Sequence, residues 1–288
     1  GINYYIGLDG FSLTILMMIA ILIPTAYLLL WEGKTKGYWI NMLLVQSGVT
    51  GTLFSLDIVL FYFFWEVMLL PVFLMIGSYG FGDKVFTTIK VTVYTMAGSL
   101  LMFVAILYLG VAHFNQFGEW SFAYDSLMQI STIPYDTKVW LFLAFLAAFA
   151  IKIPIFPLHT WIMETYKNAP TGAVFLLSSI MAKLGVYAIV RFMIPIFPDI
   201  YVEFSTWFVA IGLFGLIYFG IAALMQDDIK RMFAYSSASH LSFISAGIFF
   251  FFSYGINGSL YLIIAHAIAT GALFLLVGLM QEQTGFKT

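Results

Sequence analysis

Apolar residues fall in long blocks along this chain, separated by short polar clusters. A helix needs about 20 mostly apolar residues to cross the hydrocarbon core of a bilayer. Blocks of that size predict nine spans, at 11–30, 38–56, 57–79, 85–112, 138–162, 170–195, 203–225, 230–251 and 256–281. The second and third are separated only by Ser55-Leu56-Asp57. Strict apolar–polar alternation is absent, which excludes a transmembrane barrel. The first block is too long, and too closely followed by others, to be a cleaved signal peptide. The pattern predicts an all-α, polytopic membrane helix bundle forming a single domain over 1–288, with 113–137 as its longest stretch outside the spans.

Composition sharpens this picture. Of the 288 residues, 62% are hydrophobic and 9% charged, whereas a soluble domain carries roughly 25% charged residues. A water-soluble globule is excluded for want of polar surface. The formal net charge of −2 offers no basic patch, so a nucleic-acid partner is not expected. Cysteine is absent, which removes disulfides, cysteine-ligated zinc, iron–sulfur clusters and a thiol nucleophile from this chain. No cofactor or metal site is expected in it. The chain opens on Gly1 rather than methionine, and is expected to be a processed form or a fragment.

The basic residues predict an orientation. With residue 1 outside, the inner loops hold Lys34, Lys36, Lys84, Lys90, Lys167, Lys230, Arg231 and Lys287, and the outer side only Lys138 and Arg191. Eight against two is a positive-inside bias. Trp31, Trp39, Trp120, Trp140, Trp161 and Trp207 fall near predicted interfaces, as an aromatic belt should, whereas Trp65 does not.

Two further lysines, Lys152 and Lys183, lie within the blocks, together with Glu66, His240 and His266. Each is near the middle of its predicted span, where an ionisable side chain adds about 2.5–3.5 kcal/mol to insertion on translocon scales. One buried histidine ordinarily serves a helix–helix hydrogen bond, and one Glu–Lys pair can serve packing alone. A second lysine without a second acid breaks that explanation. Desolvation disfavours a buried ammonium and a neighbouring carboxylate favours it, so such a group exchanges its proton whenever its partner moves. Helical spacing places a hydroxyl four residues away on the same face in four cases: Tyr62 from Glu66, Ser179 from Lys183, Ser236 from His240, and Thr270 from His266. Lys152 is followed instead by Pro154 and Pro157. Each proline lacks an N–H and displaces the carbonyl four residues earlier, so the helix is expected to break beside Lys152. Irregular backbone at that depth marks ion sites in transporters.

The same residues carry a resemblance. Leu8-Asp9-Gly10-Phe11-Ser12-Leu13, Phe63-Phe64-Trp65-Glu66 with Leu70-Pro71, and Ala150-Ile151-Lys152-Ile153-Pro154 running into Pro157-Leu158-His159-Thr160-Trp161 resemble the antiporter-like membrane subunits of respiratory complex I, the subunit M and chain 4 family. Ala169-Pro170-Thr171 with Lys183, Asp228-Ile229-Lys230-Arg231 through Ala234-Tyr235-Ser236 to Ser239-His240, and Ala265-His266 extend the likeness along the chain. It implies an inverted-repeat antiporter-like fold, with a complete first five-helix repeat at 38–195 and an incomplete second at 203–288 that lacks the second broken helix. It implies a proton-translocating subunit of NADH:quinone oxidoreductase, a translocase whose NADH, FMN, iron–sulfur clusters and quinone belong to other subunits. In that scheme Glu66 pairs with and tunes Lys152, Lys152 is the switchable carrier, Lys183 is the central relay, and His240 and His266 pass the proton on. The implied partners are the bilayer and flanking antiporter-like subunits. The implied location is an energy-transducing membrane, the bacterial inner membrane or the mitochondrial one. Where the family often reads Leu-Pro-Asp-Ala-His, this chain has Ile162-Met163-Glu164-Thr165-Tyr166, which leaves the role of that segment open.

Three other readings compete. A multisubunit sodium/proton antiporter, or a ferredoxin- or hydrogenase-linked ion pump, shares the charge pattern. A b-type cytochrome with His240 and His266 as axial ligands leaves the lysines and Glu66 without purpose. A passive scaffold leaves all five ionisable groups unexplained.

Overall fold

Short capping residues punctuate the apolar blocks and set where the helices begin. In the computed structural model, which describes residues 1–250 and 252–284, Asp9, Thr35, Asp57, Asp83 and Asp228 each accept a backbone N–H from the first turn of the helix that follows, which satisfies donors with no partner inside the helix. The helices are α1 (Gly10–Leu29), α2 (Lys36–Phe54), α3 (Ile58–Tyr79), α4 (Lys84–Phe117), the single turn α5 (Tyr124–Leu127), α6 (Tyr135–Lys152), α7 (Thr160–Asn168), α8 (Thr171–Ile196), α9 (Pro198–Leu224), α10 (Ile229–Phe249) and α11 (Ser253–Thr284). Helix accounts for 81% of the structure. No strand occurs among the described residues, only two isolated bridges, Ile6 with Ser55 and Asp57 with Ala123. Lys287 lies outside the described residues.

Six of the described helices, α1, α3, α4, α8, α9 and α11, are long and apolar enough to cross a membrane. The remaining long elements are more polar; α10 alone carries Ser236, Ser237, Ser239, Ser242 and Ser245. The block expected at 138–162 is two helices, since α6 stops at Lys152 and α7 starts at Thr160. The stretch expected outside the spans is shorter than 113–137, because α4 runs on to Phe117 and ends on Gly118 at φ 79°, a left-handed residue that glycine adopts without steric penalty.

Hydrogen bonds sort the loops onto two ends of the bundle. At one end the Gly7 N–H donates to the Phe54 carbonyl (2.9 Å), Ile58 to Phe122 (2.9 Å) and Tyr124 to Leu56 (2.8 Å). Arg191 pairs there with Asp9 at 2.9 Å and Lys138 with Asp199 at 3.0 Å. At the other end the Gly172 N–H donates to the Tyr38 hydroxyl (2.9 Å) and the Phe81 N–H to the Asn168 carbonyl (2.6 Å). Lys167 there faces Asp228 at 4.0 Å, and Arg231 pairs with Glu164. Both cations expected on the outer side thus carry a carboxylate partner. Through the centre runs α8, with 94% of its apolar stretch buried, against 22% for α9.

Candidate functional site

Glu66, Lys152 and Lys183 lie within the bundle away from its ends, and each stands beside an irregularity in its own helix. Glu66 precedes an interruption of α3 at Met68, where Pro71 cannot donate to the Val67 carbonyl four residues earlier. Lys152 is the last residue of α6. Beyond it the backbone runs irregularly through Pro154 and Pro157 to Thr160. Lys183 sits on α8 between two stretches of wider π winding, Leu176–Met181 and Ile189–Met193. Such π turns occur mostly as short insertions in α-helices, often at functional sites.

The break after Lys152 is internally satisfied. Ile155 donates its N–H to the Ala150 carbonyl at 2.9 Å, and the Trp161 indole donates to the Ile151 carbonyl at 3.0 Å. Buried carbonyls that lose their helical donor need such replacements. Gly185 of α8 packs directly against this turn; a Cβ there would lie 2.6 Å from Ile153 Cγ1 and 3.1 Å from the Phe149 carbonyl. Lys152 is buried, its Nζ 4.5 Å from the centroid of the Trp65 ring and without a hydrogen-bond partner. The contact is a cation–π seat, which explains the one tryptophan missing from the interfacial belt. Glu66, the next residue, is half-buried with Oε1 unpartnered. It lies within electrostatic reach of Lys152 but forms no ion pair with it. Tyr62, one turn away from Glu66, stacks on Phe103 at 4.8 Å.

Lys183 is fully buried and donates its ammonium to the Ser178 carbonyl within the first π stretch. The Ser179 hydroxyl is buried and unpartnered. It faces Gly271 of α11, where a Cβ would fall 2.6 Å from Ser179 Oγ, so the glycine brings α11 onto the helix that carries Lys183. Five residues before that glycine is His266, buried with neither ring nitrogen hydrogen-bonded. Its ring meets that of His240 edge to face, centroids 5.5 Å apart, and it lies within electrostatic reach of Lys183. His240 is exposed into a cavity of about 210 Å³ that is also lined by Ser236, His266 and Thr270. The Thr270 hydroxyl donates to the His266 carbonyl at 2.6 Å.

The candidate residues therefore form two clusters. Tyr62, Glu66, Lys152, Pro154 and Pro157 belong to the region around the break. Lys183, Ser179, His266, Thr270, His240 and Ser236 form a second, running from α8 across α11 to α10. Gly185, two residues from Lys183, links them. The π turns, the Trp65 seat and the ring of His159 lie outside the set of candidates that the sequence predicts. This histidine lies in the break, buried, its Nδ1 unpartnered and its ring against Phe156 and Phe219. The signals were present: Trp65 was the interior exception, and His159 directly follows Pro157-Leu158.

Ionisable groups beside irregular backbone inside a membrane helix bundle are a feature of transporter-like membrane folds. The chain belongs to the family described as NADH:quinone oxidoreductase/Mrp antiporter, TM, which matches residues 55–288. It is 33% identical over 291 residues to NADH-quinone oxidoreductase subunit M of Rhodobacter capsulatus, covering 98% of this chain and 57% of that protein. It is also 33% identical over 288 residues to NADH-ubiquinone oxidoreductase chain 4 of Marchantia polymorpha, covering 98% and 56%. The chain thus spans less than two thirds of the length of these relatives. In three dimensions it resembles a chain of respiratory complex I from Thermus thermophilus with bound NADH, with a TM-score of 0.89 and 30% identity, over 98% of this chain and 59% of that one. A chain of the Mrp complex from Dietzia sp. DQ12-45-1b has a TM-score of 0.79 at 21% identity, over 94% and 51%, a likeness of fold alone.

Proposed function

We propose that this chain is the proton-carrying part of a membrane subunit of an NADH:quinone oxidoreductase, moving protons between buried Glu, Lys and His side chains while electrons pass through other subunits. The observation that carries this reading is the succession of ionisable groups from the buried Lys152 through the buried Lys183 and His266 to the exposed His240, the lysines beside irregular backbone and the histidines lining one cavity. Groups that only fixed packing would be paired; Lys152 Nζ, Glu66 Oε1 and both His266 nitrogens have no hydrogen-bond partner. Proximity makes them exclusive carriers. Two positive charges 5.5 Å apart repel by about 3 kcal/mol at an effective dielectric of about 20, more than a hundredfold in equilibrium. Charges on both His240 and His266 at once are therefore strongly disfavoured, so a proton arriving at one excludes a proton on the other. Transferring a charge across the membrane costs about 2.3 kcal/mol per 100 mV, so one such repulsion is of the size needed.

In this reading the chain crosses the bilayer nine times, α2, α10 and the pair α6–α7 adding three passages to the six apolar helices. Support comes from α2, whose Tyr38 bonds at one end of the bundle and whose Phe54 bonds at the other. The repeats at 38–195 and 203–288, and the orientation with residue 1 outside, belong to the same proposal. So do the energy-transducing membrane, the flanking antiporter-like subunits, and the NADH, FMN, iron–sulfur clusters and quinone held elsewhere. The test is Lys183→Ala in the full-length subunit, assembled in its complex and reconstituted in vesicles. The expected result is loss of proton uptake with strongly reduced quinone reduction at normal assembly. Full pumping overturns the relay. Sodium-dependent proton exchange without NADH or quinone assigns the chain to an antiporter instead.

A further inference from the structure

The segment Ile162–Tyr166, where this chain departs from the pattern it resembles, forms most of α7. That helix is nine residues long, with irregular backbone at 153–159 on one side and Ala169-Pro170 on the other. It is a short strut, packed into the bundle by the buried Trp161, Ile162, Met163, Thr165 and Tyr166 and tied at specific points to its neighbours. At its start the Trp161 indole binds the Ile151 carbonyl, one residue from Lys152. Further along, Glu164 Oε1 pairs with Arg231 Nη2, and one turn later Lys167 faces Asp228 at 4.0 Å. Arg231 and Asp228 are the first turn and the cap of α10; Asp228 Oδ1 accepts the Arg231 N–H at 2.9 Å. One turn along α10, Tyr235 lies in the field of both Arg231 and Glu164. Ser236 and His240 follow on the same helix. The strut thus connects, through named bonds, the carbonyl next to Lys152 with the base of the helix that carries His240.

We propose that Glu164 and Arg231 are positioning residues that couple the break at Lys152 to α10, so that a change of charge at one centre alters the geometry of the other. The inference rests on the relay reading above. Neither residue touches the moving proton. Both side chains are about one third exposed, 28% for Glu164 and 35% for Arg231, and solvent-screened pairs of this kind contribute little to stability. A tie between the segment after the break and the start of α10 is therefore a better account of the pair than a structural clamp.

The experiment compares Glu164→Gln, Arg231→Gln, Glu164→Asp and the charge swap Glu164→Lys with Arg231→Glu, each in the full-length subunit within its complex in vesicles. Protons taken up per electron are measured at matched electron flux, with Lys183→Ala in parallel. Coupling free energies between sites correspond to roughly 5- to 150-fold. Each Gln variant is expected to lose about fivefold in protons per electron at normal assembly, in line with the low end of that range. Glu164→Asp is expected to retain the ratio and the swap to recover most of it. Unchanged ratios in both Gln variants, while Lys183→Ala is inactive, overturn the coupling and leave the relay standing. A swap no better than the Gln variants also overturns it. Normal pumping in Lys183→Ala removes the relay itself, and the coupling with it.

Discussion

Helices α8 and α9 are nearly the same length, 26 and 27 residues, and both are apolar enough to span a bilayer, yet 94% of the apolar stretch of one is buried in the protein and 22% of the other. Hydropathy reports entry into a membrane; it does not say which helix the protein encloses. The distinguishing residues are few. Lys183, Ser178, Ser179 and Gly185 make α8 costly to expose to lipid and closely packable against the break and α11. Helix α9 has no charged residue beyond its first turns and presents Ile217, Leu213 and Phe214 outward. The buried lysine lies on the enclosed helix and the apolar wall is the exposed one.

Substitutions can break this contrast. The largest effect is expected for Lys183→Ala, which should abolish proton uptake, whereas Ile217→Ala on the exposed face of α9 should leave it unchanged; vesicle pH indicators in the assembled complex distinguish the two. Next is packing. Gly185→Ala forces a Cβ to within 2.6 Å of Ile153, and overpacking of this kind costs about 1–3 kcal/mol. Gly220→Ala on α9 meets only Ser239 Oγ at 3.6 Å and should be neutral, as thermal denaturation of the purified complex would show. Trp161→Phe leaves the buried Ile151 carbonyl without its donor, about 1–3 kcal/mol, and should loosen amide exchange at 153–159 before it affects α9.

The smallest effect concerns the end of α8. Burial pushes the Asp9 carboxyl up, but the Ser12 N–H and hydroxyl and the Arg191 guanidinium outweigh it, and it titrates below its ordinary value. The Asp9–Arg191 contribution is therefore fully present above about pH 4, the ordinary aspartate value, and disappears as acid protonates Asp9. With the carboxylate side chain 40% exposed, solvent screening limits that contribution to less than about 1 kcal/mol. Asp9→Asn should shift the melting temperature slightly at neutral pH and not at all near pH 2; an equal shift at both would exclude the ion pair as its cause.

Much of the fold is legible in the chain because lipid imposes length and caps impose boundaries. Asp9, Asp57 and Asp228 mark starts that the structure places within a few residues of the expected ones. The break at Lys152 follows from two prolines. The winding of α8 was not legible, because Leu176–Met181 contains neither proline nor glycine, and a π turn arises from packing rather than propensity. Direct pairing of Glu66 with Lys152 was the natural expectation from charge alone, whereas the ammonium sits on an indole, a contact set by the geometry of two helices. Of the candidate site, the ionisable residues were visible, and their grouping into two clusters joined at Gly185 was not.

Ending α6 at Lys152 has one more effect. The aligned peptide dipoles of a helix leave the equivalent of about half a negative charge at its C-terminal end, which favours a nearby cation by about 0.3–1 kcal/mol, or up to about 2 when partly buried. By stopping where it does, α6 supplies its own lysine with an electrostatic companion drawn from the main chain. Lys152, which has no carboxylate in direct contact, is therefore favoured by the main chain itself without recruiting another acidic side chain.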